Sequence, residues 1–206
     1  MGITKRMLAL MMVVVMCLGS ALCVSAAGSP TGGNTSTVDK NTQDHKKGTT
    51  VTSKVTSKSA TVTKAETTKN KGVLFKIARD KNGKAVNITV IGDGKKGVFN
   101  SSKGRKITAA KIGSKASKVV VKKVAFKGSK VKTLTITSKK VVISKNAFKG
   151  TKAKTLTLKV KKASQLSLKK GAFAGLKKIV IKGASKSQKK KIKKALKKAG
   201  FKGTIK

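Results

Sequence analysis

Apolar side chains recur in three similar blocks in the second half of the chain. Each block has a short run with an apolar residue at every second position, then an Ala-Phe pair and a turn, then a second alternating run. The phenylalanines of these blocks, Phe126, Phe148 and Phe173, are 22 and then 25 residues apart. Self-similarity at a period of roughly 20 to 30 residues is typical of solenoids, in which each unit stacks on the next.

Period-two alternation places one side of each short strand inward. Stacked units would therefore bring the three phenylalanines together in a column, and burial of each ring is worth about 1.5–3 kcal/mol. We expect a weaker unit to precede them, with Val98-Phe99 and 107–112 in place of the pattern. The expected repeat core consists of Phe126, Leu134, Ile136, Phe148, Leu156, Leu158, Phe173, Ile179 and Ile181. The alternating threonines are expected on the exposed sheet face: Thr133, Thr135, Thr155 and Thr157.

Two β-rich runs before the repeats predict a hairpin. Residues 73–79 and Ala85–Ile91 flank Asn82-Gly83, a pair that tolerates positive φ and favours tight hairpin turns. We expect order to begin near Val73 and this hairpin, within 72–97, to cover the N-terminal end of the solenoid.

The last segment has a helical pattern. Ile192, Leu196 and Ala199 share one narrow stripe, Ser185 lies three residues before Gln188 as in a capping box, and Gly200 is a helix stop signal. A helix that covers the open end of the core is expected. A basic amphipathic helix on a membrane surface is the alternative.

Residues 1–27 have the pattern of a secretory signal peptide. Lys5 and Arg6 precede an uncharged apolar stretch, which ends in small residues that fit a signal-peptidase site. An uncleaved membrane anchor is the alternative, because the stretch approaches spanning length. Cys17 and Cys23 both lie in this leader, so the exported chain is expected to have neither a disulfide nor a cysteine-based metal site.

Residues 28–71 are mainly Thr, Ser, Lys, Gly and Asn. Such a composition buries too little apolar surface to offset its ordering entropy, so it predicts a flexible linker. His45 lies there without converging partners, and no metal site is expected. The full division is therefore a signal peptide 1–27, a linker 28–71, a hairpin 72–97, a solenoid 98–184 and a basic helical cap 185–206.

The chain is strongly basic, with 51 Lys and Arg against 5 Asp and Glu and a formal net charge of +46. All the carboxylates precede residue 94, so side-chain ion pairs are excluded within the rest of the chain. Lysines there repel one another and destabilise the compact state, whereas salt or a bound polyanion relieves the repulsion. A solubilising coat and an anionic polymer partner both fit this pattern.

Catalysis is not expected, and neither is a cofactor or a small-molecule substrate. General acid–base chemistry needs a histidine or a tuned carboxylate, and the predicted ordered part has no histidine and has Asp80 and Asp93 in turns. Nucleic-acid binding is expected to be non-specific. The chain has no Trp or Tyr to stack on bases, and beyond the leader its arginines are Arg79 and Arg105.

The three blocks resemble the BspA-type leucine-rich repeats of bacterial secreted and cell-surface proteins. The matching stretches are 119–136, 141–158 and 166–181, and each carries an apolar strand, Ala-Phe, a small turn and a Leu- or Ile-containing strand. The Lys-rich ending 186–199 is also similar to the close of such proteins. The resemblance implies an exported, mainly β solenoid used for adhesion or protein interaction. Here the array is short, and its third unit is two residues shorter after the phenylalanine.

The expected function is non-catalytic binding outside the cell, with the secreted chain held at the cell wall by charge. The expected partners are anionic polymers such as teichoic acid or acidic polysaccharides. Alternatives are a specific adhesin that binds surface proteins through the Thr-rich face, and a cationic antimicrobial protein that acts on membranes. The candidate anion-binding residues are lysine pairs near predicted strand ends: Lys122, Lys123, Lys139, Lys140, Lys161, Lys162, Lys169, Lys170, Lys177 and Lys178.

Overall fold

The computed structural model describes residues 35–40, 49–69 and 72–206, with side-chain positions from residue 49 onward. The predicted signal peptide with both cysteines, and His45, lie outside the described residues. The described part is mainly β, with one α-helix near the C-terminus. Its elements in chain order are β1 (Thr35–Lys40), β2 (Thr49–Val55), β3 (Ala60–Thr67), β4 (Gly72–Phe75), β5 (Ile77–Arg79), β6 (Ala85–Ile91), β7 (Ala109–Ile112), β8 (Val119–Val121), β9 (Thr133–Ile136), β10 (Val141–Ile143), β11 (Thr155–Val160), β12 (Leu166–Leu168), β13 (Lys178–Lys182), α1 (Lys186–Lys198) and β14 (Thr204–Ile205), with 3-10 helices at Gly104–Lys106 and Ala163–Gln165.

The strands form two open sheets around one core. An eight-stranded sheet has the order β1-β2-β3-β6-β8-β10-β12, with β5 also paired to β6, and a six-stranded sheet has the order β14-β13-β11-β9-β7-β4. All pairs in the six-stranded sheet are parallel, and so are the pairs from β3 to β12 in the other. Buried side chains from both sheets belong to a single hydrophobic cluster. From β7 to β13 the chain therefore alternates between the sheets.

The residues of the predicted repeat core lie in the interior of the protein. All nine of its side chains are buried, and none is more than 3% exposed. The turn after each Ala-Phe pair is also as predicted: Gly128, Gly150 and Gly175 all have positive φ. Backbone hydrogen bonds join successive turns, since the Phe126 N–H donates to the Ala147 carbonyl and the Phe148 N–H donates to the Ala172 carbonyl.

The predicted column of phenylalanines is confirmed and is longer than the repeats. Its centre is the pair Phe126 and Phe148, whose rings are nearly parallel with centroids 4.2 Å apart. Phe99 stacks on Phe126 at 5.3 Å, as expected for a weaker preceding unit, and Phe173 follows Phe148 at 5.2 Å. Phe75 and Phe201 extend the two ends at 6.2 and 6.4 Å. All six phenylalanines of the chain thus form one continuous series of ring contacts.

The predicted hairpin is confirmed for the second part of its first strand, which is β5. β5 pairs antiparallel with β6, and Gly83 in the turn has φ 76°. The Asp80 carboxylate fixes this turn by accepting hydrogen bonds from the N–H groups of Asn82 and Lys84. The first part of the predicted strand forms the separate strand β4. This strand pairs in parallel with β7 in the six-stranded sheet and does not belong to the hairpin.

The prediction of a flexible linker over 28–71, with order from Val73 onward, is wrong for the described residues. Thr35–Lys40, Thr49–Val55 and Ala60–Thr67 are strands that extend the eight-stranded sheet. Val51 and Val62 are almost fully buried in the core. The composition of this segment would not support folding in isolation. Small alternating Val, Ala and Thr side chains suffice here because β3 pairs with a sheet that already exists.

The C-terminal helix is confirmed as a cap on the core. Ser185 is its N-cap and accepts from the Gln188 N–H, while Gly200 follows the helix with φ 78°. The Gln188 side chain departs from the capping box, because it accepts from the Ala163 N–H at 2.8 Å instead. Ile192 and Leu196 are fully buried in the shared core. The apolar stripe of the helix is therefore occupied by the protein itself and does not face a membrane surface.

Candidate functional site

Lysines are concentrated where the chain leaves three neighbouring parallel strands. Val121, Ile143 and Leu168 end β8, β10 and β12 and lie side by side in register. The backbone ladder continues one residue further, because the Ser144 N–H donates to the Val121 carbonyl and the Lys169 N–H donates to the Ile143 carbonyl. The lysines in the first two positions after these strands therefore share one edge of the sheet. We call this set the lysine edge, and it consists of Lys122, Lys123, Lys145, Lys169 and Lys170.

The lysine edge is exposed and concave at one point. All five of its lysines are exposed to solvent. A cavity of about 360 Å³ lies between the first two units and is lined by Lys122, Lys123, Ser144, Lys145 and Asn146. The strands carry these ammonium groups on a rigid backbone, so the spacing between units is set by the sheet rather than by flexible loops.

The ten predicted lysines do not form common rows. Two of the five pairs, 122/123 and 169/170, lie on the lysine edge. The pair 139/140 precedes β10 at the opposite end of the same strands, and 161/162 lies in the connection from β11 to β12. In the pair 177/178, Lys178 is the first residue of β13 in the six-stranded sheet and Lys177 directly precedes that strand. The five pairs do not line up because they come from different parts of the unit, and only corresponding positions of adjacent units become neighbours.

Sequence reasoning missed Lys145, which completes the lysine edge between the two pairs. Its signal was present, since Lys123, Lys145 and Lys170 each lie three residues before the phenylalanine of their unit. These three lysines fall at the same position when the units are aligned on phenylalanine. Lys145 was overlooked because it has no lysine next to it in the sequence.

The exposed face of the six-stranded sheet is mixed rather than Thr-rich throughout. Thr133, Thr135 and Thr157 are half-buried and Thr155 is exposed, as predicted for outward positions. The register, however, places Thr135 in one row with Lys111, Lys159 and Lys182. This face is therefore also cationic.

Carboxylates do not neutralise the lysine edge. Among the described side chains the one ion pair joins Lys64 Nζ to Glu66 Oε2 at 3.0 Å, on β3. Asp93 occupies the position after β6 that corresponds to Lys123, but its carboxylate accepts from the N–H groups of Lys95 and Lys96 at 2.8 and 3.0 Å. Partial burial raises the pKa of Asp93, but backbone hydrogen bonds and the positive charge of Lys95 together outweigh burial, so the pKa lies below its ordinary value.

Other kinds of site have less support in the described residues. Within 49–69 and 72–206, His, Cys, Asp and Glu do not gather in a group of three that could hold a metal ion. None of the helices in the described part is long and apolar enough to cross a membrane. The described surface offers ammonium groups that attract anions, with hydroxyl and backbone N–H donors beside them.

Comparison with known proteins gives no assignment, because no family model, curated protein or solved structure matches the chain.

Proposed function

We propose that the chain is an exported, non-catalytic protein that binds anionic polymers of the cell envelope or of a host surface. In this proposal, β7 to β13 form a short solenoid like the BspA-type leucine-rich repeats, and the lysine edge is the principal contact. Charge then holds the secreted protein at the cell wall. Teichoic acid and acidic polysaccharides are the proposed partners.

The observation that carries the proposal is the alignment of unopposed lysines on adjacent strands. Strands in one sheet lie about 4.8 Å apart, a spacing much smaller than the Debye length of about 8 Å at physiological ionic strength. The ammonium groups of the lysine edge therefore repel one another and together produce a field that a flexible polyanion can follow. No described carboxylate pairs with this edge, so binding does not first have to break an ion pair.

The test compares two variants of equal net charge. In the first, the five residues of the lysine edge are changed to Gln. In the second, five of the predicted lysines outside the edge, Lys139, Lys140, Lys161, Lys162 and Lys177, are changed to Gln. Binding to purified teichoic acid is measured by calorimetry or pull-down over a range of salt concentrations. We expect both affinity and its salt slope to fall more in the edge variant, because fewer counterions are released.

Two results would contradict the proposal. One is wild-type binding that survives about 1 M salt, where the Debye length is about 3 Å. The other is an equal loss in the two variants, which would assign the attraction to net charge alone. Each variant must retain the wild-type thermal unfolding transition for the comparison to hold.

A specific protein adhesin is the second candidate. It is favoured by the half-buried Thr133 and Thr157, which are neighbours in register on the exposed face of the six-stranded sheet. Binding to a surface protein that is insensitive to salt and abolished by Thr133→Lys and Thr157→Lys would support it over the polymer.

A further inference from the structure

A second basic site lies away from the lysine edge, at the start of the strands of the six-stranded sheet. It is a pocket of about 410 Å³ lined by Ser102, Arg105, Lys106, Thr108, Lys130 and Lys132. Four of these side chains are cationic, two carry hydroxyl groups, and no carboxylate lines the pocket. It joins residues of the turn before β7 to residues of the turn before β9.

The backbone that supports the pocket is held rigidly. Thr108 and Lys132 lie side by side, because the Lys132 N–H donates to the Thr108 carbonyl at 2.7 Å. Gly104 packs so tightly that a Cβ there would lie 2.9 Å from the Ala65 carbonyl oxygen and from the backbone of Phe99. The 3-10 helix that carries Arg105 is thus fixed directly against the phenylalanine column.

The Arg105 guanidinium has unused hydrogen-bonding capacity. Its Nη2 group donates to the Asn100 carbonyl at 3.1 Å, which orients the fork. Its Nε–H is shielded from solvent and has no acceptor in the described structure. A buried donor without an acceptor is costly, so the protein compensates this guanidinium poorly. Arg105 is half-buried and lines the pocket, so an anion there would lie beside its positive charge.

We propose that this pocket binds a phosphate group beside the Arg105 guanidinium, with the surrounding lysines and hydroxyls contacting its oxygens. A planar guanidinium group can donate paired hydrogen bonds to two oxygens of a tetrahedral oxyanion, whereas a lysine acts as a point charge. The pocket therefore gives the otherwise unselective lysine surface a preference for phosphate-bearing polymers over carboxylate polymers. This selectivity rests on the proposed function, because it assumes that polyanions are bound.

The first test titrates inorganic phosphate into the full chain and follows arginine Nε–H resonances by NMR. The chain has three arginines, Arg6, Arg79 and Arg105, so the signals can be assigned by substitution. We expect the Arg105 Nε–H signal to move on titration and the Arg79 signal to stay, because Arg79 already donates to the Gly83 carbonyl at 2.7 Å in the hairpin. An unmoved Arg105 signal up to millimolar phosphate would overturn the proposal.

The second test compares the wild type, Arg105→Lys and the control Arg79→Lys for binding to polyphosphate and to polyglutamate at matched ionic strength. Both substitutions keep the charge. We expect Arg105→Lys to weaken polyphosphate binding about tenfold, the order expected for loss of charge-assisted hydrogen bonds, and to leave polyglutamate binding unchanged. Arg79→Lys should change neither. Equal effects of Arg105→Lys on the two polymers would contradict the pocket.

These tests separate the two proposals. Failure to bind either polymer at low salt would overturn the proposed function, while a phosphate-dependent shift of Arg105 would still support the pocket. Conversely, binding of both polymers with equal affinity, unaffected by Arg105→Lys, would support the proposed function and overturn the pocket. Thermal unfolding of Arg105→Lys, compared with Arg79→Lys, shows whether the variant is folded.

Discussion

Val124 is strained, and its replacement by Asn should stabilise the protein. Its φ is 52°, in the left-handed region, which a β-branched side chain rarely adopts. The third residue after β10, Asn146, has φ 59°, and the third residue after β12, Gly171, has φ 73°. These two residue types tolerate the left-handed region well. The three turns are therefore alike in backbone, and Val124 is the residue that does not suit the position.

The backbone keeps Val124 in this conformation. Its N–H donates to the Asn146 carbonyl at 3.1 Å, the Asn146 N–H donates to the Gly171 carbonyl at 3.1 Å, and the Gly171 N–H donates to the Ala199 carbonyl at 2.8 Å. A relaxed φ at Val124 would break the first bond of this series. The left-handed region costs an ordinary residue about 1–2 kcal/mol. Packing of the half-buried Val124 side chain offsets part of this cost and is lost in the variant. We therefore expect Val124→Asn to raise the free energy of unfolding by about 1 kcal/mol.

The assay is thermal and urea unfolding of the full chain, followed by circular dichroism at one salt concentration. A gain of about 1 kcal/mol corresponds to a rise in Tm of about 2–4 °C for a protein of this size. The reciprocal variant Asn146→Val is the matched control and should lower Tm by a similar amount. If Val124→Asn is no more stable than the wild type while Asn146→Val is strongly destabilised, strain at Val124 is refuted.

Two further predictions concern the core and the acidic residues. Phe148→Ala should destabilise the protein by about 3–5 kcal/mol, because a fully buried ring between two others is removed. Phe201→Ala, at the partly exposed end of the column, should cost clearly less. Equal losses of unfolding free energy in urea would refute a role for the column. Asp93 has a lowered pKa in the folded state, so its contribution to stability is present above the unfolded pKa of about 4 and is lost as pH falls through the folded value. Asp93→Asn should therefore flatten the dependence of Tm on pH below about 4, and an unchanged pH profile would contradict this assignment.

The repeated part of the fold was predictable because the same pattern occurs three times. Every residue that period-two alternation and the Ala-Phe spacing predicted for the repeat core is buried. Phe75 and Phe201 were not predicted to join the column, because each follows a different local pattern and reaches the rings through the fold. β2 and β3 were missed for a related reason, since their Thr, Val and Ala side chains become buried on a sheet built from residues far along the chain.

The two candidate sites also differ in how far the sequence predicts them. The lysine edge could be predicted in part, because the register of parallel units follows from alignment on phenylalanine. The pocket around Arg105 could not be predicted from local patterns. It combines Arg105 with Lys130 and Lys132, which are brought together by the pairing of β7 with β9. Such a site depends on contacts between units rather than on the sequence of one unit.

The contacts that join the units of this fold do not require surface charges of one sign. Its units are joined by the phenylalanine column and by backbone hydrogen bonds from turn to turn, and neither requires an exposed side chain of particular charge. Acidic residues could therefore replace many lysines and would relieve the repulsion among those that remain. Solubility requires a modest net charge and not a surface of one sign. If the proposed anionic partner binds the folded chain, its binding would restore stability that the net charge of +46 removes through repulsion.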